Sequence, residues 1–151
     1  MKKLIETTKN NTEVFIGEET IKHMEAHSDV SIKHIKDAIK KITLNGTFFM
    51  ESINMGKNVG KDHCIKIMPE DFEKIKMVQR PNRKGLTPMI EAEPEDTELL
   101  TIGLCIDEDD GKWTLFTAFY GIKAPREPWD THTDEERAES ETFWNCHALC
   151  I

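Results

Sequence analysis

Long apolar runs are what this chain most plainly lacks. No window of its 151 residues approaches the ~20 consecutive apolar residues of a membrane-spanning helix. The start, Met1-Lys-Lys-Leu-Ile-Glu6, has the charge of a secretory leader without the apolar stretch that must follow it. Both absences predict a soluble, cytoplasmic protein with no membrane partner. Paired cysteines are missing too: Cys64, Cys105, Cys146 and Cys150 contain no Cys-x-x-Cys spacing. Reduced, buried thiols are expected rather than disulfides. Cys146-His-Ala-Leu-Cys150 offers ligand types from one turn, but no second cluster stands at a recognised zinc spacing, so no metal and no cofactor is expected.

Other familiar signatures are absent as well. Gly56-Lys-Asn-Val-Gly-Lys61 departs from the nucleotide-phosphate loop pattern, and no Gly-x-Ser-x-Gly occurs. There is no internal repeat and no Gly/Ser-rich linker. A single domain over 1–151 is therefore expected, with its core in about 13–121 and a C-terminal extension and helix in 122–151. The second half is short of positive charge: the net charge of −8 divides into +4 over residues 1–90 and −12 over residues 91–151. Such a chain is a poor nonspecific nucleic-acid binder, although a basic site in the first half stays open.

What is present reads as helices followed by strands. Glu13–Ile16 is a short strand or entry segment, and Ile21–His27 is a short helix behind the acidic Glu18 and Glu19. In the next helix, capped by Ser31, Ile32, Ile35, Ala38, Ile39 and Ile42 recur at helical spacing, and Asn45-Gly46 is its expected terminator. From Thr47 the period changes to that of strands. Phe48–Met55, His63–Met68, Glu73–Arg80 and Thr87–Glu93 are candidates, with Pro69–Asp71 and Pro81–Gly85 as turns. Leu99–Ile106 and Lys112–Gly121 then form the strongest strand pair, around the acidic loop Asp107–Gly111. A five-residue loop places Ile106 opposite Lys112 and Thr101 opposite Thr117. It also puts Phe116, Ala118 and Tyr120 on one face, with Trp113, Leu115 and Phe119 on the other. Trp129 is expected to pin the proline-punctuated Ala124–Asp130 segment. A final helix over Asp134–His147 is docked by Phe143, Trp144 and Leu149. The order implies an α+β fold, N-terminal helices packed on a mostly antiparallel sheet with a C-terminal helix.

Three groups of residues have the chemistry for a site. His23 and His27, four apart, share one helix face and suit acid–base work, a metal pair or a plain polar surface; Glu25 stands at the wrong offset for the metalloprotease motif. Arg80-Pro-Asn-Arg-Lys-Gly85 is the densest basic cluster, either a phosphate-binding turn or a solvated one. Thr117 is an ordinary strand threonine unless it has company.

Together, the helix histidine in Ile21–His27, the basic Arg80 and Arg83, and the late strand Leu115-Phe-Thr-Ala-Phe-Tyr120 resemble the barnase, EndoU, colicin E5/D and RelE-like (BECR) ribonuclease superfamily. The likeness covers the layout of residues 13–121. It implies a metal-independent endoribonuclease acting on RNA, in the setting of a toxin or of a phage or mobile-element effector. Its catalytic residues would be His23, Arg80 and Thr117, with His27, Asn82 and Arg83 on the substrate. His23 would take the 2′-hydroxyl proton, Arg80 would stabilise the phosphorane, Thr117 would bind a phosphate oxygen and His27 would give a proton to the leaving oxygen, leaving a 2′,3′-cyclic phosphate. The competing expectation is an acidic, immunity-type binding protein that acts on a protein partner through its acidic C-terminal half, without catalysis.

Overall fold

A computed structural model describes residues 1–25 and 30–151. In chain order its elements are β1 (Lys3–Thr7), β2 (Glu13–Ile16), α1 (Glu18–Glu25), α2 (Ile32–Lys41), β3 (Phe48–Asn54), β4 (Gly60–Asp62), β5 (Cys64–Lys66), β6 (Lys76–Gln79), β7 (Leu86–Ile90), β8 (Glu95–Thr97), β9 (Leu99–Ile106), β10 (Trp113–Tyr120), α3 (Asp134–Trp144) and β11 (His147–Cys150), with 3-10 turns at Pro69–Lys74 and Pro128–Asp130. The fold is α+β and ends in the expected C-terminal helix and one further strand. The chain divides into two compact units, residues 1–60 with 96–123 and residues 61–95 with 124–151.

The first unit holds a five-stranded sheet in the order β1-β2-β10-β9-β3, antiparallel except where β2 runs parallel to β10. Helix α2 forms where the sequence predicts. Ser31 accepts a hydrogen bond from Lys33 N–H at 3.2 Å, and Ile35, Ala38 and Ile39 are buried on one face. It stops at Lys41, one turn before Asn45-Gly46. Leu44 is drawn into the core instead, and Gly46 makes the turn into β3 with φ +71°. Fully buried Ile35, Ile39, Leu100, Ile102, Leu104 and Leu115 form the centre of this core, each stabilising the fold by about 1.5–3 kcal/mol through apolar burial.

The central strand pair is present in a different register. Six residues, Asp107–Lys112, separate the strands, so Trp113 rather than Lys112 faces Ile106. A bulge at Phe116 shifts the ladder again, setting Thr117 opposite Gly103 and Thr101 opposite Phe119. The extra residue reverses the alternation. Trp113, Leu115, Ala118 and Tyr120 all enter the core, while Phe116 turns to the other face and lies over Gly103, where a Cβ would meet its ring at 2.6 Å. Thr101, expected against Thr117, is fully buried. Its hydroxyl donates to Gly121 O at 2.7 Å and accepts from Ser52 Oγ at 2.8 Å.

The second unit contains a four-stranded sheet, β5-β11-β7-β6. Strand β11 comes from residues that the sequence assigns to the helix and its docking tail. Helix α3 ends at Trp144, and His147–Leu149 then pair with β5 while Leu149 and Cys150 run parallel to β7. Ala148 is thereby buried between Ile67 and Ile90 in a small separate core. Thr133 caps α3 by accepting from Glu136 N–H at 3.1 Å, with Asp134, Glu135 and Glu136 in the first turn.

Candidate arginine-lined site

The basic turn after β6 is closed locally. Arg83 N–H donates to Arg80 O at 3.2 Å, Gln79 Nε2 donates to Arg83 O at 3.1 Å, and Asn82 takes a left-handed φ of +63°. This geometry brings Arg80 and Arg83 to one hollow in the second unit. Its other walls are Pro125, Arg126, Glu127, Trp129, Asp130 and Trp144, around a volume of about 190 Å³. That is smaller than the ~300 Å³ at which pockets begin to enclose a whole small molecule. It suits a compact anion or one group of a larger ligand.

The wall contributed by residues 124–130 is held by α3. Trp144 Nε1 donates to Pro125 O at 3.1 Å, and the buried Ser140 hydroxyl donates to Arg126 O. Trp129 lies flat on the backbone at Gly85, where a Cβ would sit 2.2 Å from its Cγ. That contact is what an expected pinning tryptophan requires, and only a residue without a side chain permits it. Arg80 Nε donates to the fully buried Thr87 Oγ1 at 3.2 Å, and Nη2 donates to Glu127 Oε2 at 3.4 Å. Glu127 is only 8% exposed, and its Oε1 and the Trp129 Nε1 are buried without a protein partner. Arg83 and Arg126 are exposed. Three guanidinium groups thus meet two carboxylates, one of which already faces Arg80. The balance favours an anion, and the guanidinium fork suits phosphate or carboxylate oxygens.

The expected catalytic set divides between the two units. Arg80, Asn82 and Arg83 lie in the second. His23, exposed in the last turn of α1, and half-buried Thr117 lie in the first. There the sheet separates them: α1 packs its Ile21 and Met24 on the core face, whereas Thr117 shares the opposite face with Gly103. One phosphate cannot touch both side chains. His27 lies outside the described residues.

Four carboxylates of the acidic segments are engaged within the fold, while Glu108, Asp109, Asp134, Glu135 and Glu139 are exposed. Lys2 Nζ lies 2.7 Å from Asp107 and 2.9 Å from Asp110, and it also donates to Thr114 Oγ1 at 2.9 Å. The Lys2 hydrogen bonds hold both carboxyls below the usual carboxylate range; they also raise the lysine against the opposing pull of desolvation. On α3, Glu136 accepts from His132 N–H at 3.0 Å and Glu141 pairs with Arg137 at 3.3 Å. All four cysteines are free and half-buried rather than fully buried. Burial, then Asp62 and Cys150, pushes the Cys64 thiol up to about 12. Among the described residues, no three His, Cys, Asp or Glu side chains are grouped as a metal ion requires, and no helix is long and apolar enough to cross a membrane.

Sequence reasoning missed Thr87, Arg126 and Glu127 as members of the site. Arg126 and Glu127 stand between two prolines in a loop, and nothing local marks one of them for burial. Two further hollows are less suggestive of chemistry. One of about 350 Å³ sets Arg126 and His132 against Glu136 and Glu139, and one of about 400 Å³ in the first unit is lined mainly by Ile16, Ile21, Met24, Val30, Ile32 and Ile35.

Fold and site together define an α+β protein with an arginine-lined hollow. No family model matches the chain, and no curated protein matches it. Among solved structures it is similar to the 2.35 Å crystal structure of a conserved hypothetical protein from Toxoplasma gondii ME49, with a TM-score of 0.55 and 12% identity over 80% of this chain and 83% of that one. At that identity the likeness shows the fold alone.

Proposed function

We propose that this protein binds RNA, receiving a backbone phosphate in the arginine-lined hollow, and cleaves it without a metal ion. The observation that carries the binding half is the convergence of Arg80, Arg83 and Arg126 on one small hollow in a chain of net charge −8. Guanidinium groups offer the planar donors that phosphate oxygens accept, and they offset the charge that builds on a phosphorane. The cleavage half comes from the resemblance to BECR ribonucleases, whose reaction needs the 2′-hydroxyl as nucleophile and leaves DNA intact. Within the hollow, Arg83 and Arg126 stand beside Arg80 as the phosphate contacts. The rival acidic-partner reading is less well supported, since Lys2 already engages Asp107 and Asp110.

The test is incubation of the purified protein with labelled single-stranded RNA and DNA in EDTA. RNA ending in a 2′,3′-cyclic phosphate beside intact DNA is the expected result, and His23→Ala tests the base that the resemblance implies. Binding is measured in parallel: Arg83→Ala and Arg126→Ala should each weaken RNA binding and reduce the salt slope by about 0.7, the value for one single-strand phosphate contact. Intact RNA together with no salt-dependent binding defeats the proposal.

A further inference from the structure

Glu127 is hard to account for as a stabilising residue. A carboxylate that is 8% exposed loses most of its hydration, and here it recovers one 3.4 Å contact to Arg80 while Oε1 has no protein partner. Replacing such a group by an apolar one is often neutral or stabilising, so its presence calls for another explanation. Arg80 itself is held at two points. Nε donates to Thr87, which is fully buried on β7, and Nη2 donates to Glu127 from the segment that Trp129 presses onto Gly85. The guanidinium is planar, so two anchored nitrogens fix its plane and leave the remaining N–H donors set toward the hollow.

We infer that Glu127 and Thr87 are positioning residues for Arg80, holding its guanidinium in a fixed plane in which its free edge meets a phosphate of the RNA. The inference rests on the phosphate reading of the hollow. It separates position from charge: Glu127 is negative and opposes an incoming anion, so a purely electrostatic role predicts tighter RNA binding when that charge is removed and nothing else. Positioning predicts that turnover falls while binding does not weaken, because the arginine keeps its charge and loses its aim.

The decisive measurement is the Arg80 Nε–H signal in a nitrogen–proton NMR spectrum of the full chain, which reports the anchoring without any RNA. The wild type should give a resolved, slowly exchanging signal. Thr87→Val should move it to the position and fast exchange of a solvated arginine; Glu127→Gln, whose oxygen is an uncharged and weaker acceptor for Nη2, should shift it part of the way and speed its exchange, while Thr87→Ser, which restores the acceptor, keeps it. In the RNA assay, Glu127→Gln and Thr87→Val should lower kcat about tenfold with KM unchanged or reduced, and Thr87→Ser should recover it. An Arg80 signal unaffected by Glu127→Gln and Thr87→Val overturns the inference, as does wild-type kcat in both variants. A wild type that shows the anchored signal but neither binds nor cuts RNA defeats the phosphate reading and leaves the anchoring in place. Glu127→Gln keeps shape and volume, and a native amide spectrum for that variant shows that any loss is not unfolding.

Discussion

Replacing Arg80 by alanine would leave Glu127 buried with neither oxygen paired, so the effect should appear first in stability. Removing one partner of a buried ion pair costs about 3–5 kcal/mol when both charges are fully desolvated. Here the Arg80 side chain is 31% exposed and the contact is 3.4 Å, which lowers the expectation for Arg80→Ala to about 2 kcal/mol. Glu127→Ala should cost less, about 1 kcal/mol, because Arg80 still reaches Thr87 and water. In the double variant no unpaired carboxylate remains. It should lose about 1.5 kcal/mol rather than the sum of the two, a coupling of about 1.5 kcal/mol. Urea unfolding followed by tryptophan fluorescence measures all four proteins, and Trp129 and Trp144 both belong to the unit concerned. Additive losses, or an Arg80→Ala variant within about 0.5 kcal/mol of wild type, would refute the reasoning. The result bears on function too: lost activity in Arg80→Ala alone does not identify a catalytic arginine, and the double variant, which no longer carries an unpaired buried carboxylate, is the proper comparison.

Three further expectations concern other parts of the molecule. Lys2 holds Asp107 and Asp110 below the usual carboxylate range, so their contribution is fully present above that range and lost as pH falls through their lowered values; Lys2→Met should flatten the acid limb of the stability curve, and an unchanged limb counts against the clamp. Gly85→Ala forces the base of the Trp129 ring aside and should cost about 2 kcal/mol with a shift in tryptophan emission, whereas Gly103→Ala meets only the far end of the Phe116 ring and should cost under about 1 kcal/mol. Equal costs would show that the Trp129 contact is not the constraint described. Cys64, with its thiol pushed up to about 12, should be the slowest of the four cysteines to alkylate at pH 8 in the folded protein, and preferential labelling there would contradict its burial.

Much of this fold was legible from short-range pattern. The α2 stripe, the Ser31 cap, the acidic start of α3 and the two strands either side of the Asp107 loop all depend on residues within a turn or two of one another. Helix and turn preferences are set by such neighbours, so one sequence suffices to find them. Strands β1 and β11 were not legible, because Lys3–Thr7 and His147–Cys150 carry too little periodicity and become strands only by pairing with distant segments. The register of β10 failed for a related reason. A six-residue loop and a bulge at Phe116 cost little locally and are selected by how Trp113 and Leu115 fill the core.

The candidate site divides in the same way. The basic turn Arg80–Gly85 was visible as a cluster of charge, and its chemistry follows from residue type alone. Its partners were not visible. Arg80 and Glu127 stand 47 positions apart, and burial of a carboxylate has no local signature, since the same Glu is solvated in one tertiary setting and desolvated in another. Composition and periodicity thus settled the α+β class, the helices and the location of positive charge. Folding alone determined the side of the sheet that Thr117 occupies, its separation from His23, and the convergence of three arginines and a buried glutamate on one hollow. Those properties depend on which distant surfaces exclude water together.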